Sequence, residues 1–203
     1  MVLKQAASAI ALLLMSSILL MSSIAIAQKL PDAVRVRGTI ESKDHQVLDV
    51  KARGGETLKV KLADNAPVRA VVKASLSDVK PGTFVGITAT PQPDGTQKAA
   101  EIHIFPEAMR GTGEGHRPWD LMPNSTMTNA TVANEVASSN SKTLVLKYKD
   151  GEKTFAVPPN VTVVTFAPAT DADLRPGEKV FSATAKKLPD GTIVASNGLN
   201  PPI

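Results

Sequence analysis

The chain has 203 residues, no cysteine, seven aromatic side chains and a formal net charge of +4. Without cysteine no disulfide framework is available, so the folded part must hold together by packing alone. The basic excess is mild and scattered, with no block of five or six like charges and few aromatic stacking platforms, so nucleic acid is not an expected partner.

Met1 to Ala27 reads as an export signal. Lys4 is the one charge of a short leading region, Ala6 to Ile26 carries none, and Ala25-Ile26-Ala27 is the small-x-small pattern that places cleavage before Gln28. The competing reading is an uncleaved anchor, because the stretch approaches the length that spans a bilayer. Serines 8, 16, 17, 22 and 23 and the Ala-x-Ala end favour cleavage, and no cysteine stands at the cleavage point for lipid attachment. The remainder has no second apolar run of spanning length. The expected product is a periplasmic or secreted protein with no membrane span after cleavage.

The remainder repeats itself. Asp78-Val79-Lys80-Pro81-Gly82 recurs 95 residues later as Asp173-Leu174-Arg175-Pro176-Gly177. Pro93-Asp94-Gly95-Thr96 recurs 96 later as Pro189-Asp190-Gly191-Thr192, and Gly55-Glu56 matches Gly151-Glu152 at the same spacing. These are turn formers: Pro-Gly suits a type II turn, and Pro-Asp-Gly between alternating segments suits a hairpin loop. The matched residues carry shape, not chemistry.

Between the turns the periodicity is two. Val34, Val36 and Ile40 alternate with Arg35, Arg37 and Thr39; Leu58, Val60 and Leu62 with Lys59 and Lys61; Ile102 and Ile104 with Glu101, His103 and Phe105; Leu144, Leu146 and Tyr148 with Val145, Lys147 and Lys149. Each run predicts a half-buried strand. Helical pattern is limited to single turns at Ala74–Val79 and Asp171–Leu174, each stopped by Pro-Gly. The expected fold is all-β: two tandem small OB-like β-barrels, at 34–105 and 128–200, joined by a Gly/Pro-rich linker at 106–127 and preceded by the signal peptide helix. A small sandwich is the second choice.

The run Phe105-Pro106-Glu107-Ala108-Met109-Arg110-Gly111-Thr112-Gly113-Glu114-Gly115-His116-Arg117-Pro118-Trp119-Asp120, followed by Thr126-Met127-Thr128-Asn129-Ala130-Thr131-Val132, resembles small exported tandem β-domain proteins of proteobacteria that carry a domain-of-unknown-function assignment. Members often receive the automatic name "metal ABC transporter permease". The resemblance covers essentially the whole exported part and implies an OB-like periplasmic β-domain without an established activity. A permease needs several spanning helices, which this chain lacks outside its signal segment.

Three candidate sites come from the residues. Glu101 and His103, two apart on one strand, share a face, and Glu107, Glu114 and His116 lie near in sequence. A returning loop would gather Glu101, His103, Glu114 and His116 as ligands for a divalent ion, although no tight His pair exists. Arg117, Trp119 and Asp120 form a contact set with hot-spot composition; the plainer reading has the single Trp packing between the barrels and tying them together. Gly111-Thr112-Gly113-Glu114-Gly115 resembles a phosphate loop, but Pro118 and the missing helix remove that geometry. No Gly-x-Ser-x-Gly turn marks a nucleophile. The leading expectation is a non-enzymatic binding or scaffolding module of the cell envelope, without cofactor, whose partner is an envelope protein or polymer. The alternative is a periplasmic metal-binding accessory protein.

Overall fold

The computed structural model of the chain describes residues 33–137 and 142–196. The export-signal reading falls on residues 1–27, outside the described residues. The first repeat supplies β1 (Ala33–Asp44), β2 (Val47–Ala52), β3 (Thr57–Leu62), β4 (Arg69–Lys73), β5 (Phe84–Pro91) and β6 (Gln97–Ile104). A short β7 (Gly115–Pro118) lies in the joining stretch. The second repeat supplies β8 (Thr126–Ala137), β9 (Lys142–Tyr148), β10 (Gly151–Val157), β11 (Thr162–Pro168), β12 (Lys179–Lys187) and β13 (Ile193–Ala195). The alternation seen in the sequence is the burial pattern: Val36, Ile40, Val60, Leu62, Ile102, Leu144 and Leu146 are buried. No helix among the described residues is long and apolar enough to cross a membrane.

The strands close two five-stranded barrels, and each barrel draws on both repeats. In the first, the order β1-β12-β13-β3-β2 closes on itself. Here β1 runs antiparallel to β12, with Arg37 opposite Phe181, and β13 runs parallel to β3, with Ile193 opposite Val60. In the second, β8 pairs with β5 and β9, β5 with β6, and β10 with β9, and closure comes from β10 running parallel to β6 with Phe155 opposite Gln97. The expectation of contiguous barrels at 34–105 and 128–200 is corrected accordingly. Strands β1–β3 take the β12–β13 hairpin of the second repeat, and β8–β10 take the β5–β6 hairpin of the first.

The repeated turns are the points of exchange. Gly82 and Gly177 sit at φ 88° and 92°, the left-handed conformation that Pro-Gly permits. Each donates its N–H across to the other repeat: Gly82 to the Val132 carbonyl at 2.8 Å, Gly177 to the Ile40 carbonyl at 2.8 Å. Just before these turns, single 3-10 turns at Leu76–Asp78 and Asp171–Asp173 are closed by capping boxes from Ser75 and Thr170. The residue that follows each turn plugs a barrel. Val79 enters the core built on β8–β10, and Leu174 enters the core built on β1–β3. The chain crosses between barrels along β4 and β11, which pair antiparallel with Val71 opposite Phe166. Ala66 precedes Pro67, and Val157 precedes Pro158-Pro159. A residue before proline is held extended, which carries the chain away from the barrel it has just left.

The stretch expected as a linker, 106–127, lies on the second barrel through β7. Strand β7 pairs with the first half of β8, His116 opposite Thr128, along the edge that β9 leaves uncovered. Arg110 fastens the preceding turn through the Glu107 carboxylate and the Gly82 carbonyl, and Asn129 donates to the Thr112 carbonyl at 2.9 Å.

Two outcomes follow from the exchange. A protease site engineered between Pro123 and Asn124, when cut, should leave two fragments that co-elute and unfold in one transition; fragments that separate as folded halves would contradict the pairing. Leu174→Ala should cost about 2–5 kcal/mol, as for other fully buried truncations. Amide exchange should then accelerate in β1–β3, which belong to the other repeat, as much as in β12.

Candidate functional site

The outward faces of the strands, the crossover and the ordered joining stretch enclose a cleft of about 1600 Å³ between the barrels. Because Val36 points inward, its neighbours Arg35 and Arg37 point out of β1 into this space. Arg53 enters from the end of β2, Arg69 from β4, and Arg117 from β7. Five of the seven arginines of the chain therefore line one cleft, against two of its sixteen lysines, Lys51 and Lys179. Aromatic rings concentrate in the same way: Phe105, Trp119, Phe166 and Phe181, all half-buried, are four of seven. Arginine differs from lysine in its planar fork and in its ability to stack on rings, and both properties are used here. The Arg37 guanidinium lies 4.2 Å from the Phe181 ring centre, Arg35 lies 4.4 Å and Arg117 5.6 Å from that of Trp119.

Trp119 meets Phe181 edge-on, with centroids 5.8 Å apart, so it joins the joining stretch to the first barrel. The segment around it is gripped by the first barrel's arginines. Arg35 donates to the Pro118 carbonyl at 3.3 Å, Arg53 to the Leu121 carbonyl at 3.2 Å, and Arg37 pairs with Asp120 at 3.5 Å. The loop is closed by Ser125, whose backbone carbonyl accepts from the Trp119 N–H at 2.8 Å. Arg117, Trp119 and Asp120 all line the cleft.

The proposed metal ligands part company. Glu101 and His103 share a face and meet at 2.7 Å. Glu114, at the rim, instead accepts from the Lys149 N–H at 3.0 Å, and His116 faces Thr128, its Nδ1 2.8 Å from the hydroxyl. Strand β7 turns His116 outside the lining of the cleft, and among the described residues no three of His, Asp and Glu gather as a metal centre.

The carboxylates do not balance the arginines. Besides Arg37 with Asp120, no arginine of the cleft makes an ion pair among the described residues. Burial pulls the Arg117 guanidinium below its ordinary value, and the nearby Arg35 charge adds to the effect. Burial does the same to Arg37, helped by Arg53 and opposed by Asp120 and Glu101. For Glu101, burial works to raise the carboxyl, but the His103 hydrogen bond and the charges of His103, Arg37 and Arg53 outweigh it and hold the group below its usual value. Among the described residues, two buried polar atoms of side chains that line the cleft lack partners: the donor Nε of Arg37 and the acceptor Oδ1 of Asn129.

Arg117, Trp119 and Asp120, expected from the sequence as a contact set, line the cleft together with Arg35, Arg37, Arg53, Arg69, Phe166 and Phe181, which the sequence did not single out. The available signal was the Arg-x-Arg alternation on β1 in a chain that otherwise prefers lysine on its strand surfaces. No family model matches the chain, and neither does any curated protein or solved structure.

Because the Glu101 carboxyl is held down in the folded protein, it stabilises the fold above the unfolded value near 4.5, and that contribution disappears as pH falls through the lower folded value. Glu101→Gln should flatten this part of the acid limb in a denaturant-midpoint series against pH. An unchanged limb would remove Glu101 from the acid response.

Proposed function

We propose that the exported chain is a non-enzymatic binding module of the cell envelope that holds an anionic ligand in the cleft between its two barrels. One observation carries this reading: five of seven arginines and four of seven aromatic rings line a single cleft that has too few carboxylates to neutralise them. Uncompensated, partly buried guanidinium groups raise the energy of the empty site and are relieved by an oxyanion, which the arginine fork meets in two parallel hydrogen bonds. The cleft exceeds the roughly 300–1000 Å³ of ordinary small-molecule pockets, which favours an extended ligand. His103 and His116 are engaged by Glu101 and Thr128, an arrangement that holds rings in place. Binding is thereby favoured over metal handling.

The strand order supports the OB-like reading. Within each barrel a three-stranded meander from one repeat is completed by a hairpin from the other, whose last strand lies parallel to the meander's third, an economical way to close five short strands. Export rests on the Met1–Ala27 pattern and gives the periplasm or the exterior as the place of action.

Trp119 is the only tryptophan and reports on the cleft directly. Titration of the Gln28–Ile203 form with a soluble polyanion should change its fluorescence, whereas a neutral polymer of the same length should not. Affinity should fall steeply between 0.1 and 1 M salt, as the Debye length shrinks from about 10 to about 3 Å. Arg35→Ala combined with Arg117→Ala should weaken binding at least tenfold. No fluorescence or calorimetric response to any polyanion would end this reading.

A further inference from the structure

The two repeats present equivalent surfaces to the cleft, and their differences describe the ligand. Aligned by the Pro-Gly turns, Phe181 on β12 corresponds to Gly86 on β5. Their cross-strand partners are Arg37 and Asn129. Arg37 stacks on Phe181, while Asn129 fills the space that a side chain at position 86 would take: a Cβ there would lie 2.6 Å from the Asn129 Oδ1 and 3.0 Å from the Phe105 ring. One wall of the cleft therefore carries a charged donor, and the facing position carries a neutral amide. Each has one buried atom without a partner, the Arg37 Nε and the Asn129 Oδ1. The first needs an acceptor and the second a donor. An oxyanion alone satisfies the first and leaves the second orphaned.

We propose that the ligand is an acidic carbohydrate, a chain of sugar rings bearing carboxylate or phosphate groups. This rests on the cleft being an anion site, and it adds the hydroxyl groups that Asn129 calls for and the ring faces that the half-buried aromatics of the lining call for. Sugar C–H bonds carry partial positive charge, and aromatic faces are negative, so a ring lies flat against Phe105 and Phe166, whose centroids are 5.4 Å apart and tilted by 38°. Arg35, Arg53, Arg69 and Arg117 then meet the acidic groups with N–H donors not spent on the protein, since each guanidinium has five. The shared chemistry is a hydroxylated anion. Carboxylate and phosphate are its two sources of charge.

The experiment compares probes of matched length and charge on the Gln28–Ile203 form by calorimetry: an oligo-uronic acid, a phosphorylated oligosaccharide, poly-glutamate, inorganic polyphosphate and a neutral oligosaccharide. At least one acidic oligosaccharide should bind ten times more tightly than poly-glutamate, polyphosphate and the neutral chain, and which one does so identifies the acidic group. Asn129→Ala and Phe166→Leu, each checked for an intact thermal transition, should reduce that preference to threefold or less. If all polyanions bind alike, or if both variants keep the full preference, the carbohydrate assignment is overturned while the anion site stands. If poly-glutamate alone binds, the ligand is an acidic peptide and the assignment also falls. If nothing binds, the anion site itself is lost.

Discussion

Everything in this molecule depends on the fact that neither repeat closes its own barrel. The parallel pairings of β13 with β3 and of β6 with β10 are the closing seams, and each joins strands from different repeats. A half-chain has a three-stranded meander whose open edges need a hairpin, and a hairpin that needs a barrel. Units of this size bury only roughly 60% of their chain surface, which leaves them marginal alone. Exchange makes one cooperative body out of two such units. Val79 and Leu174 show how tightly: each leaves its own repeat to fill the core of the other barrel and is almost wholly inaccessible there, at 0% and 1% exposure.

The crossover has the geometry of a two-fold interface. Val71 and Phe166, opposite each other in the β4–β11 ladder, are separated by the same 95 residues as the two Pro-Gly turns, so a strand pairs with its own repeat equivalent. Isologous interfaces between identical subunits have this property, and reciprocal strand exchange is a low-cost route to such dimers. In this chain the two partners are covalently joined, and the joining stretch has become a third structural piece. It adds β7 to the second barrel and lays Trp119 on the first. Because the repeats are free to differ in sequence, the cleft between them is asymmetric: Arg37 with Phe181 on one wall, Asn129 with Gly86 on the other.

The strands and turns were legible because their causes are local. Alternation at Leu144 and Leu146 fixes which side faces a core, and Pro-Gly fixes a left-handed glycine wherever the chain leads next. The exchange was not legible for the same reason. Equivalent strands carry equivalent patterns, so β1 accepts β12 on the same terms as it would accept β5. What distinguishes the two pairings is the direction in which β4 and β11 leave their barrels, set by a few residues around Pro67 and Pro158-Pro159 and by the gain from pairing them. The site was half legible. Trp119 stood out by rarity. Arg35 and Arg37 read as the solvent-facing half of a strand, and only the second barrel's position makes that face a wall. The grouping of Glu114 and His116 with Glu101 and His103 failed because proximity in sequence was taken across a turn that β7 resolves in another direction.

The exchange and the cleft also need each other energetically. Several guanidinium groups face across a gap and repel, and among the described residues Asp120 is the one carboxylate that ion-pairs with a cleft arginine. Two barrels joined by a flexible tether would relieve that repulsion by moving apart, and the cleft would exist only when a ligand held it shut. Here the barrels are tied by the two crossover strands, β4 and β11, which pair with each other while β11 also runs along β6, so opening the cleft means breaking that ladder. Repulsion that would otherwise be lost to motion stays in the cleft, and under the proposed function an anion relieves it. Asp120, on an exposed loop, supplies a partial internal counter-charge to Arg37 at 3.5 Å. Under the proposed function an oxyanion would exchange with this one ion pair, while Arg35, Arg53 and Arg117 hold the Pro118, Leu121 and Gly113 carbonyls and keep further N–H donors for it.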